Sequence, residues 1–245
     1  MAVNFLVTLR FAGTAYHGSQ IQKNARTVQA RFQSALEAVL GELPDIKCCS
    51  RTDSGVHANM FCISFKSQSD IKPERLVMAL NNNLPDDIRV TECRKVDDGF
   101  HARYSARAKR YIYKIYNSDI MDPFYAGRAV RFSPRIDEKE LNGAAQVFSG
   151  RHDFKAFCSK KTDAPDTVRT ITDISVTRDG ELVTISITAD GFLYNMARAI
   201  SGSLLNVARG KLSKEDIASR LETGVRDNLI ATAPAEGLYL DYVFY

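Results

Sequence analysis

The densest run of reactive side chains in this sequence is Arg51-Thr52-Asp53-Ser54-Gly55-Val56-His57. A carboxylate serves as nucleophile or base. Ser-Gly directly after the aspartate suits a tight turn that projects that carboxylate outward. An Arg two residues before an Asp is also the makings of a surface ion pair or an Asx-turn, so the run by itself names no reaction. A second concentration is electrostatic. Residues 89–114 hold eight bases and three acids, a local +5 in a chain whose net charge is +4. No acid falls between His101 and Lys114, and Phe100, Tyr104, Tyr111, Tyr113 and Tyr116 interleave with the bases. Bases neutralise phosphates and aromatic faces stack on unpaired nucleobases, which points to a polyanion partner; a solvated strand face would share the pattern.

Other chemistries lack their residues. The five cysteines are odd in number and show no C-x-x-C spacing, and the four histidines are scattered, so neither a disulfide framework nor a metal centre is expected. The vicinal Cys48 and Cys49 read as small buried hydrophobes of a reducing cytoplasm. No phosphate-binding G-x-x-x-x-G-K-[ST] or G-x-G-x-x-G loop occurs. No apolar run reaches the roughly 18 residues of a membrane span, and MAVNFLVTLRFAG reads as a first strand rather than a signal peptide. With 44% hydrophobic and 25% charged residues, the 245-residue chain has the composition of a globular protein large enough for one or two domains.

The elements that must position these groups follow a repeated order. VNFLVTLRF is apolar in a strand pattern. Val28, Phe32, Ala35, Leu36 and Val39 then fall on one helical face, with Thr27 as N-cap and Gly41 closing the helix. IKCCSRT and MFCISFK are strand candidates flanking the Asp53 loop; a helix starts at Pro73, and IRVTECRKV closes the unit. The second half repeats the order. It runs through RYIYKIYN, a helix over 138–148 after Asp137, a hairpin turning at Asp179-Gly180, and a helix over 194–207. A short helix after Ser213 and GLYLDYVFY complete it. The expectation is an α+β fold of two ferredoxin-like β-α-β-β-α-β halves, 1–104 and 105–245. They would form an extended, mainly antiparallel sheet with helices on one face and a catalytic cleft between the halves.

Beyond these patterns, RTDSGVHA closely resembles the RTDAGVHA signature of the tRNA pseudouridine synthase A family. NNNLPDDIRV, DDGFHARYSARAKRYIYKIYN, RHDFKAFCSK, VRTITDISV, FLYNMARAISGSLLNVARG and ATAPAEGLYL resemble further blocks of that family in the same order. Ser54 departs from it, standing where Ala is usual. The resemblance implies the pseudouridine synthase fold. It also implies isomerisation of uridine to pseudouridine at positions 38, 39 and 40 in the tRNA anticodon stem-loop, without a cofactor, by a cytoplasmic homodimer.

It further implies site roles. Asp53 matches the essential aspartate; attack at C1′, attack at C6 and removal of the C2′ proton all remain open for it. Arg198 matches the arginine that pairs with that aspartate, and a cationic partner is what a partly buried carboxylate needs to stay ionised. Arg51 matches the arginine that helps extrude the uridine, since enzymes acting on a base take it out of the stack. Tyr111 matches the active-site tyrosine, although spacing alone does not favour it over Tyr113. Arg103, Arg107, Lys109 and Arg110 are candidates for phosphate contacts. A non-catalytic protein with tandem RRM-like halves is the alternative, weakened by the absence of an RNP1 pattern. A glycoside-type hydrolase would need a second acid, such as Asp190, set against Asp53.

Overall fold

A computed structural model describes residues 2–159 and 166–245. Met1 and Lys160, which end two of the sequence blocks above, lie outside them. The chain divides into two compact units, Met1–Arg107 with Tyr239–Tyr245, and Ala108–Leu238. The closing segment, which by position in the chain falls in the C-terminal half, therefore belongs with the first unit.

The first unit runs β1 (Val3–Phe11), α1 (Val28–Leu40), β2 (Lys47–Cys48), β3 (His57–Ser67), α2 (Pro73–Asn83) and β4 (Ile88–Val96). This is the β-α-β-β-α-β order expected. The strands lie in the order β4-β1-β3, antiparallel throughout, with β2 antiparallel on the free side of β3. Alternation decides which residues are buried. Phe5, Val7, Leu9 and Phe11 of β1 share one face, and Phe61, Ile63 and Phe65 of β3 share another row, all almost fully buried. Phe5 stacks on Phe65 at 5.7 Å, and Phe11 meets Phe61 edge-on at 5.5 Å. Helix α1 buries Val28, Phe32, Ala35 and Leu36. It begins where the Thr27 side chain accepts from the Ala30 N–H and ends where Gly41 adopts φ +71°.

The strand expected over IKCCSRT shrinks to two residues for a local reason. The Cys49 N–H still donates to the Cys62 carbonyl at 2.8 Å, but the Cys62 N–H turns to Cys49 Sγ at 3.2 Å. The ladder stops there and the chain leaves the sheet as the Asp53 loop.

The second unit contains β5 (Ala108–Tyr116), β6 (Val130–Arg131), α3 (Glu138–Ala145), β7 (Gly150–Asp153), β8 (Val168–Asp179), β9 (Leu182–Ala189), α4 (Met196–Val207) and α5 (Lys214–Thr223). Its strands lie in the order β5-β9-β8-β7, antiparallel, with β6 parallel to β5. Tyr111, Tyr113 and Ile115 point to the buried face of β5, and Val183, Ile185, Ile187 and Ala189 to that of β9. The short β6 and β7 have no periodic signal in the sequence and add to the elements expected from it. The helix expected over 138–148 tightens into a 3-10 turn after Ala145. The helix expected from Tyr194 starts at Met196, because Asn195 takes φ +63°. A capping box at Ser213 and Asp216 starts α5. Finally β10 (Leu238–Phe244) runs parallel to β3, with Tyr239 opposite His57 and Leu240 opposite Ala58. It takes the stretch of β3 edge that the shortened β2 leaves uncovered.

Candidate functional site

Within the first unit the Asp53 loop is held at Thr52, Ser54, Gly55 and His57 by the segment that follows β1. The Ser19 Oγ accepts from the Thr52 N–H at 2.8 Å, and the Ser19 N–H donates to the Thr52 carbonyl at 3.1 Å. The Tyr16 carbonyl accepts from the Gly55 N–H at 3.2 Å and from the Ser54 Oγ at 3.3 Å. Ser54, the departure from the family signature, thus adds a bond that alanine cannot make. The Val56 N–H donates to the Asp53 carbonyl at 3.2 Å, and Gly55 completes the turn at φ +79°. At the exit, His57 Nδ1 accepts from the Gly13 N–H at 3.0 Å, while its ring stacks on Tyr239 at 4.5 Å.

The approach is too close for side chains on the glycines. A Cβ on Gly13 would sit 1.9 Å from the Val56 carbonyl oxygen, and one on Gly18 2.5 Å from that of Thr52. In this frame Asp53 is half-buried and Arg51 exposed. The sequence draws attention to the loop but not to its holders. Their only signal is the glycine and serine content of GTAYHGS, which any loop could share.

Arg103 and Arg107 stand elsewhere in the same unit. The Ala102 N–H donates to Ser64 Oγ at 3.0 Å, and the Arg107 N–H to the Phe244 carbonyl at 2.8 Å. Ser64 is seven residues along β3 from His57, about 23 Å at the rise of an extended strand. The stretch 102–107 therefore lies toward the opposite end of β3 from the Asp53 loop. The exposed Tyr104 lies there too, its ring 4.4 Å from that of His101.

In the second unit Tyr111 and Arg198 sit on either side of the turn 192–195. The buried Tyr111 ring meets Phe192 edge-on at 4.7 Å. Arg198, half-buried in the first turn of α4, donates from Nη1 to Asn195 Oδ1 at 3.2 Å and from Nε to the Ala233 carbonyl at 2.7 Å. The Ala233 N–H in turn donates to the Arg198 carbonyl at 3.0 Å. The neighbouring Pro234 carbonyl accepts from the Tyr113 hydroxyl at 2.9 Å. Burial pushes the Tyr113 phenol well up, with the Arg198 charge opposing and Glu236 reinforcing. So Tyr113 has a bracing contact of its own: it ties β5 to the ATAPAEG segment that holds Arg198. Lys109 and Arg110 precede Tyr111 on β5, opposite Ala189 and Thr188. Asp190 Oδ1 accepts from the Thr170 N–H at 3.0 Å, beside an open cavity of about 540 Å³ that Arg151, Arg169 and Asp166 also line. Among the described residues no group of three or more His, Cys, Asp or Glu is placed to hold a metal ion, and no helix is long and apolar enough to cross a membrane.

The arrangement offers a carboxylate on a tightly framed turn, with an exposed arginine two residues before it. It also offers a buried aromatic ring and an arginine fixed through its guanidinium. Against known proteins, residues 8–105 and 144–245 match the tRNA pseudouridine synthase family model. The chain is 44% identical over 242 residues to tRNA pseudouridine synthase A of Acetivibrio thermocellus, covering 99% of each chain. It is 40% identical over 242 residues to that of Thermoanaerobacter sp. strain X514, again covering 99% of each. To that of Staphylococcus aureus strain MRSA252 it is 38% identical, over 99% of this chain and 92% of the relative. Arg51, Asp53 and Arg198 fall inside the stretches matched to the family model and Tyr111 outside them, but the relatives run through both. With matches of this length across both units, the chain belongs to the tRNA pseudouridine synthase family.

Proposed function

We propose that this protein isomerises uridine to pseudouridine at positions 38, 39 and 40 of the tRNA anticodon stem-loop, with Asp53 as the essential carboxylate. The observation that carries the reading is the family match over 8–105 and 144–245, which includes the framed Asp53 turn. The reaction breaks the uracil N1–C1′ bond and makes a C5–C1′ bond; the base loses its C5 proton and gains one at N1. Nothing is added or removed overall, so the protein must supply position, charge and proton transfer. Asp53 supplies the nucleophile or base. Arg51 reaches outward from the same loop and takes up the space of the extruded uridine, where a planar guanidinium both stacks and donates. Tyr111 offers its ring to the uracil. Arg198 contributes a positive charge. Arg103, Arg107, Lys109 and Arg110 contact backbone phosphates. The protein acts in the cytoplasm as a homodimer, with tRNA lying across both subunits.

The test uses tRNA tritiated at uracil C5, since isomerisation releases that label to water. Wild type is expected to release it. Asp53→Asn is expected to bind tRNA but release none. Release by Asp53→Asn would overturn the role of Asp53, and free uracil as product would indicate hydrolysis instead.

A further inference from the structure

Behind the Asp53 turn, one residue both holds the turn and is itself anchored at its far end. Tyr16 gives it a carbonyl that accepts two of its hydrogen bonds, from Gly55 N–H and Ser54 Oγ. Tyr16 is 2% exposed, and its other end is fixed as well. The phenol hydroxyl donates to the Asp87 carboxylate, and Arg26 Nη2 donates to the phenol oxygen at 3.0 Å. Arg26 also reaches Asp87 Oδ2 at 3.1 Å, and its guanidinium lies 4.7 Å from the centre of the Tyr16 ring. The backbone completes the frame: the Ala12 N–H donates to the Asp87 carbonyl, and the His17 N–H to that of Arg26, both at 2.9 Å. Three residues that are far apart in sequence, at the end of β1, before α1 and before β4, thus meet behind one turn.

We infer that Tyr16, held by Asp87 and Arg26, is a positioning residue that sets the Asp53 carboxylate for its reaction. The inference rests on the role proposed above for Asp53. Catalysis by a fixed carboxylate depends steeply on placement, and a shift of about 1 Å can cost on the order of a hundredfold in rate. A tyrosine anchored at its hydroxyl cannot slide along its own ring axis. Its carbonyl, and the turn bonded to that carbonyl, are then fixed too. Burial and the Asp87 hydrogen bond raise the phenol to about 12, against the opposing pull of Arg26, so it stays a donor at neutral pH. Arg26 pairs with the other carboxylate oxygen of Asp87, and both side chains are partly open to solvent. None of the three touches the uridine in this reading; they act through the Tyr16 carbonyl.

The experiment compares Tyr16→Phe, Asp87→Ala, Asp87→Asn and the Tyr16→Phe/Asp87→Ala double variant by single-turnover tritium release with enzyme in excess. Under a saturating excess of enzyme every tRNA turns over once, so a fraction of unfolded molecules changes neither the rate constant nor the amplitude while folded enzyme remains saturating. Tyr16→Phe and Asp87→Ala should each lower the rate constant about tenfold while tRNA affinity stays within about twofold. Asp87→Asn keeps an acceptor for the phenol and should recover most of the rate. The double variant should be no slower than either single one, because both remove the same restraint. A rate constant within twofold of wild type for Tyr16→Phe would overturn the inference, as would additive losses in the double variant. If Tyr16→Phe does not fold, the contrast between Asp87→Ala and Asp87→Asn decides: a slow alanine variant with a restored asparagine variant supports the inference, and equal rates overturn it. An inactive wild type would instead overturn the proposed function, so the two failures remain distinguishable.

Discussion

Thr52 carries two hydrogen bonds through its backbone and none through its side chain. Its amide and carbonyl are both spent on Ser19, while Oγ1 is buried with no hydrogen-bond partner among the described residues. A buried hydroxyl left unsatisfied costs about 1–3 kcal/mol. Thr52→Val replaces it with a methyl group of nearly the same shape and leaves both backbone bonds in place. The variant is therefore expected to unfold in urea at the same or a higher midpoint, gaining up to about 1 kcal/mol, with tritium release unchanged. Lost activity at full stability would instead show that the hydroxyl meets the substrate. This is a residue whose importance the sequence could only hint at. RTDSGVHA stands out because its polar side chains are unusual together, yet what holds the loop is hydrogen bonding, most of it through backbone groups, to Gly13, Tyr16 and Ser19, with Gly18 packed closely against it. Backbone bonds leave no composition signal beyond the glycines that permit close approach. Ser54 is the converse case. It reads as a neutral exchange for alanine, and only the geometry shows the bond it adds to the Tyr16 carbonyl.

Helix α4 shows how an element can serve one side chain. Eleven of its twelve residues are buried, and Arg198 in its first turn is the exception. Gly202 lets the helix lie against the 231–233 backbone. A Cβ on Gly202 would meet the Ala231 carbonyl oxygen at 2.1 Å. That same strip of backbone holds Arg198 Nε through Ala233. Gly202→Ala should therefore do two things at once. It forces the helix and the strip apart at a cost of about 1–3 kcal/mol, the usual range for overpacking. It also loosens the Arg198 anchor, so the single-turnover rate constant should fall with the urea midpoint. A lowered midpoint with an unchanged rate constant would separate the close approach from any effect on Arg198. The helix itself is legible in sequence from its apolar, small-residue pattern, as are β1, α1, α2 and β4 from periodicity and caps. Less visible are β2, cut short where Cys49 Sγ takes the Cys62 N–H, and β6 and β7. Strands of two to four residues show no alternation to read. The placement of β10 beside β3 is also hidden, because a parallel partner so distant along the chain depends on an edge left free by β2.

At the level of the whole molecule, the net charge of +4 conceals a segment of +5 that runs along the chain from β4 into β5. Arg103 and Arg107 lie at the far end of β3 from the Asp53 loop, and Lys109 and Arg110 precede Tyr111 on β5. If these bases neutralise phosphates, each contact releases about one counterion, and the logarithm of the affinity falls with the logarithm of salt in proportion to the number of contacts. Lys109→Ala should then weaken tRNA binding and reduce the magnitude of that slope by about one. Lys72→Ala, which removes an equal charge from an exposed position just before α2, provides the comparison. General attraction between a basic protein and a polyanion would change little with one distant charge, and similarly for both variants. Local contact predicts a changed slope for Lys109→Ala and an unchanged one for Lys72→Ala. Equal slopes in the two variants would remove Lys109 from the tRNA surface while leaving the Asp53 chemistry untouched, since the tritium assay at saturating tRNA measures that separately.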